Sequence, residues 1–152
     1  MSTTPQRSEE TPVVKSSDRF SLELVVPKKQ MTLGEQLWVA LIVTNNGQTD
    51  IPFPDTQVDV EGVHGEPPMT IYQRQMGHKR NPGEGELRRQ GFNTFIRPSV
   101  YDVRRFDLSK FYFLTEPGKY TVYVDVWDEK KAVWVRSPTA EFDLLPPAAP
   151  HR

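Results

Sequence analysis

Few residues in this chain of 152 are equipped for chemistry, and those few are scattered. His64, His78 and His151 all fall in segments that read as loops or tail. A zinc centre needs three or four converging ligands, and only His64 has a second candidate, Glu66, close by. The histidines therefore read as surface loop side chains. The chain has no cysteine, which excludes disulfides, iron–sulfur clusters, thiolate metal sites and a thiol nucleophile. A serine hydrolase would carry its nucleophile on a G-x-S-x-G elbow, and none occurs; Ser109 in Asp107-Leu108-Ser109-Lys110 reads as a turn or cap residue. Clustered carboxylates at the ends of sandwich strands can hold calcium, and Asp55, Asp59 and Glu61 form one such group, with Asp125, Asp128 and Glu129 forming another. Asp125 belongs to an alternating polar face, however, and Asp128-Glu129 precedes Lys130-Lys131, which can neutralise it. Both groups read as solvated turn charges. No catalytic residue, metal or cofactor is expected, and the chain reads as a non-enzyme.

Binding chemistry is better represented. The net charge of −1 is unevenly spread: residues 1–73 carry −5, residues 74–105 carry +5 and residues 106–152 carry −1. The loop 73–91 holds Arg74, Lys79, Arg80, Arg88 and Arg89 among glycines, with Tyr72, Phe92 and Phe95 nearby. Cations interleaved with aromatics suit a polyanion, through phosphate contacts and stacking. The bland alternative is a solvated loop paired with the acidic first half. Nucleic acid is disfavoured, and another protein is the expected partner. A second candidate surface is aromatic. Trp38, Trp127 and Trp134 fall on expected strands, with Tyr123 and Trp127 on one face; Tyr123, Trp127 and Trp134 would form a binding strip if that face is open. Core packing or cross-strand pairing is the competing account.

The elements that must position these residues are strands. Phe20, Leu22, Leu24 and Val26 alternate with Ser21, Glu23 and Val25 up to Pro27. After the turn Leu33-Gly34-Glu35, Leu37, Val39, Leu41 and Val43 face one way and Trp38, Ala40 and Ile42 the other, as in a central strand. Asn45-Asn46-Gly47 is a hairpin signal, and the return through Pro52 and Pro54 reads as an edge or crossing segment. Strands are expected at 57–61, 69–72, 92–97, 100–106, 120–127, 132–136 and 139–145, the last two interrupted at Pro138. Asp107 is placed to cap a short helical turn. No amphipathic helix of ordinary length is present, and the longest apolar run, Leu37 to Val43, is far shorter than the roughly 20 residues of a membrane helix. The reading is all-β: an antiparallel sandwich of seven to nine strands.

Two windows resemble a family. Leu33-Gly34-Glu35 with Val39, Leu41, Val43-Thr44-Asn45-Asn46-Gly47 is similar to the second strand of bacterial immunoglobulin-like domains. Phe106-Asp107-Leu108-Ser109-Lys110 with Leu114, Pro117-Gly118 and Tyr120 is similar to their penultimate strand and resembles a tyrosine corner, in which a Tyr hydroxyl bonds to backbone just upstream. The resemblance covers roughly residues 20–145 and implies an immunoglobulin-like β-sandwich with Greek-key connections, its corner formed by Leu114, Pro117, Gly118 and Tyr120. Similar layouts occur in uncharacterised exported bacterial proteins, and more loosely in intracellular proteinase inhibitors.

The expected organisation is a disordered segment at 1–18, a sandwich at 19–145 and a proline-rich tail at 146–152. If Met1 is the natural start, the cytoplasm is the expected compartment; if it replaces a removed signal peptide, export is. The expected function is a structural or protein-binding module. The alternative is a proteinase inhibitor that presents the basic loop 73–91 to a protease cleft.

Overall fold

The computed structural model describes residues 12–63, 65, 68, 95–112 and 114–147, and the backbone of 86–88. Among them are twelve strand segments, nine of three residues or longer, and no α-helix. In chain order they are β1 (Val13–Val14), β2 (Phe20–Val25), β3 (Gln30–Thr32), β4 (Trp38–Asn45), β5 (Ile51–Pro52), β6 (Thr56–Glu61), β7 (Glu86–Arg88), β8 (Phe95–Ile96), β9 (Tyr101–Asp107), β10 (Gly118–Asp128), β11 (Val133–Arg136) and β12 (Ala140–Leu145). One sheet is antiparallel β2-β4-β9. The larger one is built on β10, which pairs with β6 on one side and with β11 and β12 on the other; β7 extends it beyond β6. β1 and β3 join its far edge in parallel with β11 and β12. Strand pairing thus begins at Val13, ahead of the Arg19 boundary read from the sequence.

The core lies between the sheets. Phe20, Val39, Leu41, Val43 and Phe106 from the small sheet meet Val58, Val60, Tyr120, Val122, Val124, Val126, Phe142 and Leu144 from the large one in a single buried cluster. β4 alternates as its sequence requires: Val39, Leu41, Val43 and Asn45 are buried, while Trp38, Ala40, Ile42 and Thr44 are not. Each fully buried Val, Leu or Phe contributes about 1.5–3 kcal/mol by leaving water, so this cluster supplies the main favourable term.

Pro138 breaks the last strand as its missing N–H demands. The pairs Val122↔Ala140 and Asp125↔Arg136 leave one more residue on the β11–β12 side than on β10, a bulge. Ser137 repairs the ladder there: its N–H donates to Val124 O at 2.9 Å, and its hydroxyl accepts from Val124 N–H at 3.0 Å.

Asn45-Asn46-Gly47 does not close a hairpin. β5 pairs with β8, not with β4, because the Asn45 side chain is turned inward to hold two distant segments. Its Nδ2 donates to Thr49 O and Ile96 O, both at 2.8 Å, and its Oδ1 accepts from Gly47 N–H at 2.8 Å.

The crossover from the small sheet to β10 is pinned at several points. The Asp107 carboxylate caps the 3-10 turn Leu108–Lys110 by accepting from Ser109 N–H at 3.1 Å, and it also accepts from Leu37 N–H at 3.2 Å at the start of β4. The Tyr112 hydroxyl donates to Val58 O, and the Tyr120 hydroxyl donates to Glu116 O, four residues upstream. Leu114 packs against the core, Pro117 is exposed in the turn, and Gly118 takes φ 141°. The Tyr120 ring stacks on Phe142 with centroids 5.5 Å apart.

Burial, reinforced by the nearby Glu116 carboxylate, raises the Tyr120 phenol above its ordinary value of 10.0, although the Glu116 backbone bond acts the other way. A raised value means the folded state keeps the proton longer. The stabilisation from this group is therefore complete below pH 10 and is lost as pH rises through the folded value. Tyr120→Phe should lower stability at pH 7 by about 1 kcal/mol and flatten the loss above pH ~10. Urea midpoints of both proteins from pH 7 to 11 check this; parallel curves would rule out the assignment.

Candidate interaction surfaces

The outer face of the large sheet carries the aromatic residues singled out above. Tyr123, Asp125 and Trp127 project from β10, Trp134 and Arg136 from β11, and Gln57 and Asp59 from β6, as the registers dictate. Arg136 binds Asp125 at two points, Nε–Oδ1 at 2.9 Å and Nη2–Oδ2 at 3.2 Å, and its guanidinium lies 4.2 Å from the Tyr123 ring centroid. The Asp125 hydrogen bonds push the guanidinium pKa further above its already high value. Trp127 and Trp134 pack at 5.2 Å with a 59° tilt. Trp134 is fully buried, and its indole N–H has no hydrogen-bond partner among the described residues. Arg136 thus roofs Tyr123 and Trp134 is enclosed, while Tyr123 and Trp127 are each partly exposed.

Of the six carboxylates read as solvated turn charges, Glu61 and Glu129 are exposed as expected and Asp55 is partly so, and three are corrected here. Asp59, Asp125 and Asp128 are all buried. Burial is tolerated because each carboxylate is partnered. Asp125 has Arg136. Asp128 accepts from Arg19 Nη1 at 2.6 Å, Ser17 Oγ at 3.1 Å and the Lys130 and Lys131 amides at 3.2 and 3.3 Å, which fixes the β10–β11 turn against the incoming chain. Asp59 and Gln57 are engaged as well. Among the described residues no three His, Asp or Glu side chains group as a metal centre would need.

Of the basic-loop candidates, Arg74, Lys79, Arg80 and Arg89 lie outside the described residues, and so does the greater part of the loop 73–91 on which the inhibitor alternative rests. Arg88 ends β7, where its backbone pairs with Thr56. Two other cations of the basic segment are placed on β9. Arg104 points inward at the sheet edge, 3.7 Å from Asp102 and 4.3 Å over the Phe53 ring. Arg105 points outward.

The outer face of the small sheet is the surface that sequence reasoning did not single out. Across it run the rows Val25–Ala40–Arg105, Glu23–Ile42–Val103 and Ser21–Thr44–Tyr101. Tyr101 is 64% exposed and Trp38 38%. The signal was present: Trp38, Ala40 and Ile42 make the second face of β4 apolar. It pointed to a covered strand, whereas both neighbours of β4 are edge strands and nothing among the described residues lies over the face. At the Trp38 end, where the chain leaves β2 at Pro27, a groove of about 400 Å³ opens between Pro27, Lys28, Trp38, Ala40, Val103 and Arg105.

This arrangement has solved counterparts. The CARDB domain of a Pyrococcus furiosus protein matches in its solution structure with TM-score 0.50 at 14% identity, over 84% of this chain and 94% of that one. Its crystal structure in complex with di-metal ions matches with TM-score 0.51 at 13% identity, over 87% and 99%. The fold is an immunoglobulin-like β-sandwich. The β-glucosidase from Listeria innocua in complex with isofagomine matches with TM-score 0.54 at 17% identity, over 89% of this chain and 17% of that one. At these identities the likeness is one of fold, and fold carries no activity with it. No family model matches the sequence, and no curated protein does. In this immunoglobulin-like sandwich, which has no cysteine, Tyr112, Tyr120 and Asp107 provide crossover ties. Among the described residues no helix is long and apolar enough to cross a membrane.

Proposed function

We propose that the chain is a non-enzymatic immunoglobulin-like module that binds another protein through the outer face of β2-β4-β9. The observation that carries this reading is a continuous apolar stripe on an open sheet face, with Tyr101 and Trp38 exposed at its ends and Ala40, Ile42 and Val103 between them. Interfaces concentrate their binding energy in such aromatic anchors, and on the opposite sheet Asp125 and Arg136 pair with each other while Trp134 is enclosed. A protein partner offering a complementary apolar surface would cover the stripe and leave Glu23 and Arg105 at its rim.

The test is capture by the immobilised chain compared with Ile42→Glu, Tyr101→Glu and, on the other sheet, Thr121→Glu. Proteins retained by the parent and by Thr121→Glu but lost from both small-sheet variants support the reading, with a loss of at least about tenfold expected for a buried charge at an interface core. Equal retention by all four proteins overturns it. Sedimentation of the purified chain at rising concentration shows whether the bound protein is a second copy.

A further inference from the structure

We infer that the groove at the Trp38 end of the small sheet is a binding site for a small amphipathic anion, a molecule with a flat apolar body and one carboxylate or similar acidic group. The groove exists because β2 and β4 part company. They pair as far as Val25↔Ala40, after which Pro27 takes the chain towards β3, leaving Trp38 on β4 without a neighbour on that side. The volume of about 400 Å³ falls in the usual range for small-molecule sites, roughly 300–1,000 Å³.

Its walls divide by chemistry. Trp38, Pro27, Ala40 and Val103 form an apolar surface. Trp38 Nε1 donates to Gln36 Oε1 at 3.3 Å, which holds the indole in one orientation. Among the described residues, Lys28 and Arg105 are the charged groups of the lining, and no carboxylate lines it. Of the acidic residues nearby, Asp102 lies against Arg104 on the inward side of β9, Asp107 caps the 3-10 turn, and Glu23, exposed on the same outer face, is outside the lining. The two cations therefore set the sign of the field inside the groove, and an apolar body resting on Trp38 brings an attached anion to them. Such sites combine a mostly apolar wall with a few polar groups that fix orientation, and arginine supplies a planar fork for a carboxylate.

Three probes of equal bulk test this: 1-naphthaleneacetate, 2-(1-naphthyl)ethanol and 1-naphthylmethylamine, titrated into the 15N-labelled chain. The expected result is tightest binding of the acetate, by about tenfold over the amine, with shifts centred on the Trp38 indole N–H and the Ala40 and Val103 amides. Trp38→Ala should abolish binding, and Lys28→Glu with Arg105→Glu should reverse the order of acetate and amine. Thermal melts check that the variants remain folded, which their surface positions favour. Equal binding of the three probes, shifts centred elsewhere, binding that survives Trp38→Ala, or no binding up to about 5 mM would each overturn the inference. The site does not depend on a protein partner. Tyr101 is not among the lining residues and lies six residues along the strand pair from Trp38, about 20 Å away, though two residues from Val103 at the near wall of the groove, so Tyr101→Glu should lose protein capture and keep naphthaleneacetate binding.

Discussion

Asn45→Ala should destabilise the domain by about 3–5 kcal/mol, the largest effect expected of any single polar residue here. The side chain is fully buried and makes three hydrogen bonds to backbone. Alanine leaves the Ile96 carbonyl, the Thr49 carbonyl and the Gly47 amide without those partners, and each buried orphan costs about 1–3 kcal/mol, partly recovered where water reaches the turn. Asn45 also accepts from Ser99 N–H and donates to Val100 O through its backbone, so the turn after β4 and the approach to β9 meet on this residue. Asn45→Asp separates hydrogen bonding from shape. It preserves volume but turns the donor pair into a carboxylate oxygen facing two carbonyls. At pH 7 it should cost at least as much as alanine. The introduced carboxyl would have a raised folded-state pKa, so its penalty should shrink as pH falls and the group protonates. Urea unfolding of the three proteins at pH 4.5 and 7 measures this, and an Asn45→Asp protein as stable as the parent at pH 7 would show that the network contributes little.

Gly118→Ala is expected to cost about 2–4 kcal/mol for two separable reasons. Gly118 sits at φ 141°, which L side chains rarely adopt, and a Cβ built there would lie 2.3 Å from Val63 Cγ1 and 3.2 Å from Val63 Cβ. One of these contributions can be removed. In a Val63→Ala background the 2.3 Å contact is gone while the tight 3.2 Å contact to Cβ and the backbone strain remain, so Gly118→Ala should cost about 1–2 kcal/mol less there than in the parent. Equal costs in the two backgrounds would assign the whole effect to φ. The position matters because Gly118 opens β10, the strand on which the large sheet is assembled, two residues before the Tyr120 corner.

How much of this was legible depended on how local the cause was. The alternation of Phe20–Val25, Trp38–Asn45 and Gly118–Asp128 is a property of neighbouring residues, and it appears unchanged as strands. Asp107 capping, the break at Pro138 and the turn at Pro117-Gly118 are equally local. Asn45-Asn46-Gly47 misled because the motif describes a turn and says nothing of what the Asn side chain finds 51 residues away at Ile96. The acidic residues misled for the same reason. Asp128 reads as a solvated turn residue until Arg19, far away in sequence, is placed against it.

The sequence by itself determined that this protein is all-β, that it needs no disulfide, and that its strands alternate to offer apolar faces for burial, two of them on β4, because period-two patterning and turn chemistry act over a few residues. Only the tertiary structure decided which outer face is spent and which is open. Asp125 and Trp134 are buried on the large sheet and Arg136 is bound to Asp125, while Trp38, Tyr101 and Arg105 stand out from the small one. Alternation tells which side of a strand a residue leaves from. Whether that side meets solvent depends on which distant segments are paired beside it and folded over it.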